Sequence, residues 1–174
     1  MPDASDAEHV SLVGESGAGS DAANSADTEA NSELVEDVEE LVIIDAGVPD
    51  LDALMEDFAN RGDSVNVVVL QAGDDSIRQL GEIIQPHRGL KTLHLISHGS
   101  DGLLELGGEK ITTLDLLART GDIRDWRYAF TDDADILIYG CDVAASADGR
   151  NFVDTLARLT RTDVAASEDV TGAV

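Results

Sequence analysis

Leu41-Val42-Ile43-Ile44, then Leu51, Leu54, Met55 and Phe58 at helical spacing, then Val65-Asn66-Val67-Val68-Val69-Leu70: this stretch decides the fold. A short, nearly unbroken β-branched run has no polar alternation to turn toward water, so it predicts a strand buried on both faces. An amphipathic segment between two such runs predicts a helix that crosses back over a parallel sheet. The unit recurs in Thr92-Leu93-His94-Leu95-Ile96, in Ile136-Leu137-Ile138-Tyr139 and, more weakly, in Asp163-Val164-Ala165-Ala166. Ile77, Leu80 and Ile84 mark a helix over roughly 75–85, and Phe152, Val153, Leu156 and Leu159 mark another over roughly 148–160; a further helix is predicted near 112–119. Two short apolar segments within Leu103–Ile111 flank Gly107-Gly108, a dipeptide suited to a tight hairpin turn. The predicted class is α/β: a doubly wound, three-layer αβα sandwich around a mostly parallel sheet, with a small β-hairpin insert.

The 174 residues suffice for one domain and a tail. Acidic side chains number 36 against 11 basic, a formal charge of −25, and only Lys91 and Lys110 are lysines. Neutralising phosphates requires clustered Lys and Arg, so neither nucleic acid nor an anionic membrane surface is an expected partner. No run of about 18 apolar residues predicts a spanning helix, so no membrane insertion is expected, and no basic start before an apolar stretch predicts a signal peptide. Residues 1–40 hold 12 of the acids and no Lys or Arg, with Ser, Gly, Ala and Asn as filler. Such a segment buries too little apolar surface to offset ordering, so it reads as a disordered acidic leader before a folded domain at 41–174. Leu34, Val35 and Val38 share one helical face and allow a turn or two of helix near its end. The lone Cys141 forms no internal disulfide, and His9, His87, His94 and His98 lack zinc-ligand spacing; no metal or other cofactor is expected. An acid-rich, lysine-poor surface also suits high salt or a calcium-rich exterior, although no Asp-x-Asp-x-Asp-Gly calcium loop is present.

Ligands of such sheets bind beyond the carboxyl ends of the strands, and two of those ends carry reactive groups. Ser97-His98-Gly99-Ser100 closes the third strand and Tyr139-Gly140-Cys141-Asp142 the fourth, each reactive residue beside a glycine that permits a sharp turn. On neighbouring strands, His98 and Cys141 meet at one edge, where a thiol beside an imidazole becomes a nucleophile for acyl transfer. Taken singly, a cysteine is more often inert packing and a strand-end histidine more often bonds a loop carbonyl; their joint placement carries the reading. His94 reads equally as a satisfied core histidine, and His87, between Pro86 and Arg88, as loop surface. Asp142 follows Cys141 directly, and a carboxylate aimed at the thiol disfavours thiolate. Turned outward, Asp142 joins Asp45, Asp101, Glu168 and Asp169 in a negative rim favouring substrates with Arg or Lys beside the cut bond. Asp142 and Asp169 read equally well as turn or helix caps. No glycine cluster has phosphate-cradling spacing.

The His98-Gly99 and Gly140-Cys141 pairs, after successive strands, resemble the signature of the caspase, gingipain and clostripain superfamily of cysteine peptidases. Leu41–Asp45 with Val48-Pro49-Asp50, Ser97–Ser100, Tyr139–Ala144 and Ala165–Gly172 together resemble a domain of unknown function. That domain stands near the start of very large bacterial surface or secreted proteins with cadherin-like, calcium-binding or adhesin repeats. The superfamily resemblance implies His98 as general base and acid, Cys141 as nucleophile, and the amides of Gly99 and Cys141 as oxyanion donors. Asp45, Asp142, Ser167 and Asp169 are then candidate substrate-binding or orienting residues. It also implies a polypeptide substrate, the parent chain itself included, and a place at the cell surface or outside the cell within a larger protein; an isolated chain is compatible with the cytoplasm. The rival expectation is a catalytically inactive relative serving as an interaction module at the head of an adhesin.

Overall fold

The computed structural model describes residues 38–167. Of the expected leader at 1–40, residues 1–37 lie outside the described residues, as do the candidates Glu168 and Asp169. Five strands form one parallel sheet: β1 (Glu40–Asp45), β2 (Val65–Leu70), β3 (Leu90–Ile96), β7 (Phe130–Tyr139) and β8 (Asp163–Ala166), in the order β2-β1-β3-β7-β8. The interior strand β1 is buried from Leu41 through Asp45, as an unbroken apolar run requires, whereas the edge strands β2 and β8 are only partly covered.

Because side chains alternate, the sheet has two distinct faces. Val42, Ile44 and Ile96 pack on one face against Phe58, Leu51 and Leu54 of α1 (Leu51–Ala59). Leu41, Ile43, Leu93, Leu95, Ile136 and Ile138 face the larger core on the other. There Ile77, Leu80 and Ile84 come from α2 (Ser76–Ile84), and Phe152, Leu156 and Leu159 from α5 (Ala147–Thr160). Leu116 of α3 (Thr113–Ala118) and Ile123 of α4 (Thr120–Asp125) close the same core. The molecule is thus the three-layer α/β arrangement expected. No helix among the described residues is long and apolar enough to cross a membrane.

The insert is a second, antiparallel sheet of three strands: β4 (His98–Ser100), β5 (Leu103–Leu106) and β6 (Glu109–Thr112). Gly107 and Gly108 turn the β5–β6 hairpin with φ of 59° and 79°, the doubly left-handed turn that fits the twist of a two-residue hairpin. Sequence periodicity marked two of these strands but not β4, a three-residue strand too short for an alternation to register.

His87 corrects the surface reading: it is buried, with Nδ1 3.0 Å from the Ile83 carbonyl and Nε2 3.3 Å from the Asn66 amide nitrogen. Its ring reaches back onto an otherwise open carbonyl near the end of α2, a position histidine takes readily at helix C-termini. Burial holds its pKa below the ordinary 6.5.

Candidate functional site

Strand order reverses direction at β1: the chain steps outward from β1 to β2, then returns to β3 on the other side. The carboxyl ends of β1, β3 and β7 therefore open together at the crevice where such sheets bind ligands. Three loops meet there, one after each strand.

The loops after β3 and β7 stay paired beyond the strands. Ile96 is in register with Tyr139, and the next amide, Ser97 N–H, donates to the Tyr139 carbonyl at 3.0 Å. A methyl group placed on Gly99 would lie 2.4 Å from Val143 Cγ2, 3.2 Å from the Cys141 carbonyl oxygen and 3.3 Å from Gly140 Cα. A methyl group on Gly140 would lie 3.3 Å from Gly99 Cα. The two main chains lie close together here, and glycine at both positions leaves room for that approach, most strictly at Gly99, where a methyl group would collide with the Val143 side chain. His98 and Cys141, each adjacent to one of these glycines, are thereby brought to the same lip; His98 is exposed and Cys141 half-buried.

The imidazole of His98 is held from the β1 side. Its Nε2 lies 3.1 Å from the Gly47 carbonyl oxygen. A carbonyl only accepts, so Nε2 carries the proton, and in the neutral ring Nδ1 is left with the lone pair. The Gly47 carbonyl is a partner that no reading of residue types identifies, because it is backbone. Its one signal in sequence is Asp45-Ala46-Gly47, the pattern of an Asx turn. The turn forms: Asp45 Oδ1 accepts from Gly47 N–H at 2.7 Å and the Asp45 carbonyl accepts from Val48 N–H at 3.1 Å.

The Cys141 loop is fastened on both sides. Gly102 N–H donates to the Val143 carbonyl at 3.1 Å, Ser146 N–H donates to Asp101 Oδ1 at 2.9 Å, and Ala144 N–H donates to the Ser167 carbonyl at 3.1 Å. Asp142 has a left-handed φ of 54° and accepts from Ala145 N–H through its carbonyl at 3.2 Å, so it is the corner of this turn, a conformation that Asp tolerates better than most side chains. Ser167 contributes its main chain to the same loop. Asp45 is buried, with both oxygens on backbone amides, and Asp101 faces the start of α5. Among the described residues, no group of three or more His, Cys, Asp or Glu is arranged to hold a metal ion.

His94 lies on β3, one turn of the pleat below the crevice and nearly inaccessible at 6%. Its ring stacks on Tyr139 with centroids 5.8 Å apart, Nδ1 is 3.2 Å from the Tyr139 hydroxyl, and Nε2 is 3.6 Å from Glu40 Oε2, beyond hydrogen-bond reach. It is the core histidine expected, but not a fully satisfied one, because among the described residues its Nε2 has no hydrogen-bond partner. Burial pushes its pKa below 6.5, partly opposed by the Glu40 carboxylate. As pH falls through 6.5, the unfolded chain takes up a proton that folded His94 refuses, so stability present above that pH is lost. His87 acts with the same sign. The urea midpoint is therefore expected to fall between pH 7 and about 5, ahead of the carboxylates Asp75, Glu109 and Asp115, which their hydrogen bonds hold below the ordinary carboxylate range. His94→Gln reduces that slope and His87→Asn added to it reduces it further; midpoints measured at both pH values check this, and an unchanged slope contradicts it.

No curated protein and no solved structure matches the chain. Residues 41–174, from the second residue of β1 onward, match the family model described as Domain of unknown function (DUF4347), and the chain belongs to that family.

Proposed function

We propose that this domain is a cysteine endopeptidase in which Cys141 is the nucleophile and His98 the general base and acid. The observation that supports it is the backbone contact of Gly99 with Gly140, which joins the two loops bearing these residues at the ligand-binding edge of the sheet. His98 Nδ1, basic because Nε2–H is committed to the Gly47 carbonyl, takes the proton from Cys141 Sγ. The thiolate adds to the substrate carbonyl carbon, and the amides of Gly99 and Cys141 are the candidate donors to the oxyanion. As the C–N bond breaks, Nδ1–H gives its proton to the departing amine and a thioester to Cys141 remains. Water, losing its proton to Nδ1, then cleaves the thioester and restores the thiol. The substrate is a polypeptide, and in the setting the family resemblance implies, a large surface or secreted repeat protein, the parent chain is itself a substrate.

Incubating the protein with a degenerate peptide library and reading the products by mass spectrometry tests this. Cleavage by the wild type that is absent from Cys141→Ala supports the reading. Equal cleavage by both, or none by either, removes it in favour of an inactive scaffold.

A further inference from the structure

The Asp45 side chain touches both halves of the machinery holding His98. Its carboxylate is buried, 7% exposed, and faces two backbone amides: Oδ1 accepts from Gly47 N–H at 2.7 Å, and Oδ2 accepts from Gly107 N–H, 62 residues along the chain, at 2.5 Å. The first bond shapes the turn whose Gly47 carbonyl takes the His98 Nε2 proton. The second pins the tip of the β5–β6 hairpin, and β5 carries Glu105, the partner of His98 in the β4–β5 ladder. Ring and backbone of His98 are thus fixed by two segments that meet at one carboxylate.

Both amide partners are glycines in tight surroundings. A methyl group on Gly47 would lie 2.9 Å from Asp45 Oδ1, and one on Gly107, where φ is +59°, would lie 2.8 Å from Ser76 Oγ. An Asx turn needs only one of the two oxygens; the second reaches across the fold to the hairpin.

We propose that Asp45 is a positioning residue that fixes the tautomer and orientation of the His98 imidazole by clamping the Gly47 turn to the Gly107 hairpin. The inference rests on the reading of His98 as the base, but its primary test does not require turnover. Asp45→Asn preserves shape while replacing one acceptor oxygen by an NH2 donor, which then confronts an N–H. Long-range 1H–15N correlation spectra taken at a pH where the ring is neutral are expected to show wild-type His98 as a single Nε2–H tautomer. Asp45→Asn is expected to show a mixture of tautomers, with reaction of Cys141 with a peptidyl chloromethyl ketone slowed by about 10²-fold, the scale of losing orientation at a reacting pair. Ser76→Ala is the control, because the Ser76 hydroxyl pins the same hairpin through the Leu106 carbonyl at 2.7 Å without touching the turn; it lowers stability and leaves tautomer and rate unchanged. A folded Asp45→Asn with an undisturbed tautomer overturns the proposal. Should that variant fail to fold, Gly47→Ala, whose methyl group would crowd Asp45 Oδ1 and so disturb the same clamp, must yield the mixture of tautomers, and a single Nε2–H tautomer there overturns it equally. A wild type that cleaves nothing but responds in its tautomer removes the peptidase and leaves the clamp.

Discussion

His98→Ala lowers kcat/KM for peptide cleavage by about 10²–10⁴-fold, the range a positioned general acid–base contributes. It leaves the melting temperature nearly unchanged. The two expectations come from one arrangement. The imidazole is exposed and, among the described residues, anchored by a single hydrogen bond to the Gly47 carbonyl, so its removal empties no cavity and leaves that carbonyl open to water; surface substitutions of this kind cost within about 0.5 kcal/mol. Cleavage, by contrast, loses the only base proposed for the thiol. Steady-state kinetics beside a thermal melt decides the matter, and a variant as active as the wild type removes His98 from the chemistry.

Gly149→Ala destabilises the fold by about 1–3 kcal/mol, as overpacking a filled interior does. It is expected to disturb the Cys141 loop at the same time. Gly149 is buried in the first turn of α5, and a methyl group there would stand 2.2 Å from the Val143 carbonyl oxygen, 2.8 Å from Ala144 Cα and 2.9 Å from Asp101 Oδ1. These belong to the loop itself and to the aspartate that holds Ser146 N–H, so relief requires the main chain to move. In a solvent-exposed helix the same change is favourable, because alanine is the better helix former. Urea unfolding gives the sign: a loss of stability confirms that α5 is seated directly on the loop, and a gain contradicts it.

The strands of the parallel sheet were legible wherever an apolar run filled them. Val65–Leu70 and Asp163–Ala166 coincide with β2 and β8, and the hairpin at Gly107-Gly108 forms where two adjacent glycines predicted it. β7 begins at Phe130, six residues before the apolar run Ile136–Tyr139. The six residues ahead of that run include Asp132, Asp133 and Asp135, all exposed, and the pairing with β3 is irregular between Leu90 and Thr92, so the hydrophobic signal is missing there. The segment 120–129 folds as α4 and a 3₁₀ turn although Gly121 and two acids dilute its helical pattern; buried Ile123 and Trp126 hold it to the core. Packing supplies what local propensity lacks.

At the candidate site the limit was of a different kind. His98, Cys141 and their glycines are visible as residue types, but the Gly47 carbonyl and the Val143 and Ser167 carbonyls act through the main chain, which any residue supplies. Asp45 read as a rim acid because its residue type says nothing of direction; it turns inward to two amides. Asp142 read as a choice between an electrostatic and a structural group; its left-handed backbone makes it the corner of the loop, a property of the main chain that leaves the role of the carboxylate as it stood.

The most direct measurement is the rate at which a peptidyl chloromethyl ketone forms an adduct at Cys141, followed by peptide mapping in the wild type and in His98→Ala. A working thiol–imidazole pair predicts a single adduct at Cys141 that forms far faster than with a simple cysteine peptide and slows to that baseline once His98 is gone. No adduct in the wild type, or equally fast labelling without His98, would contradict it.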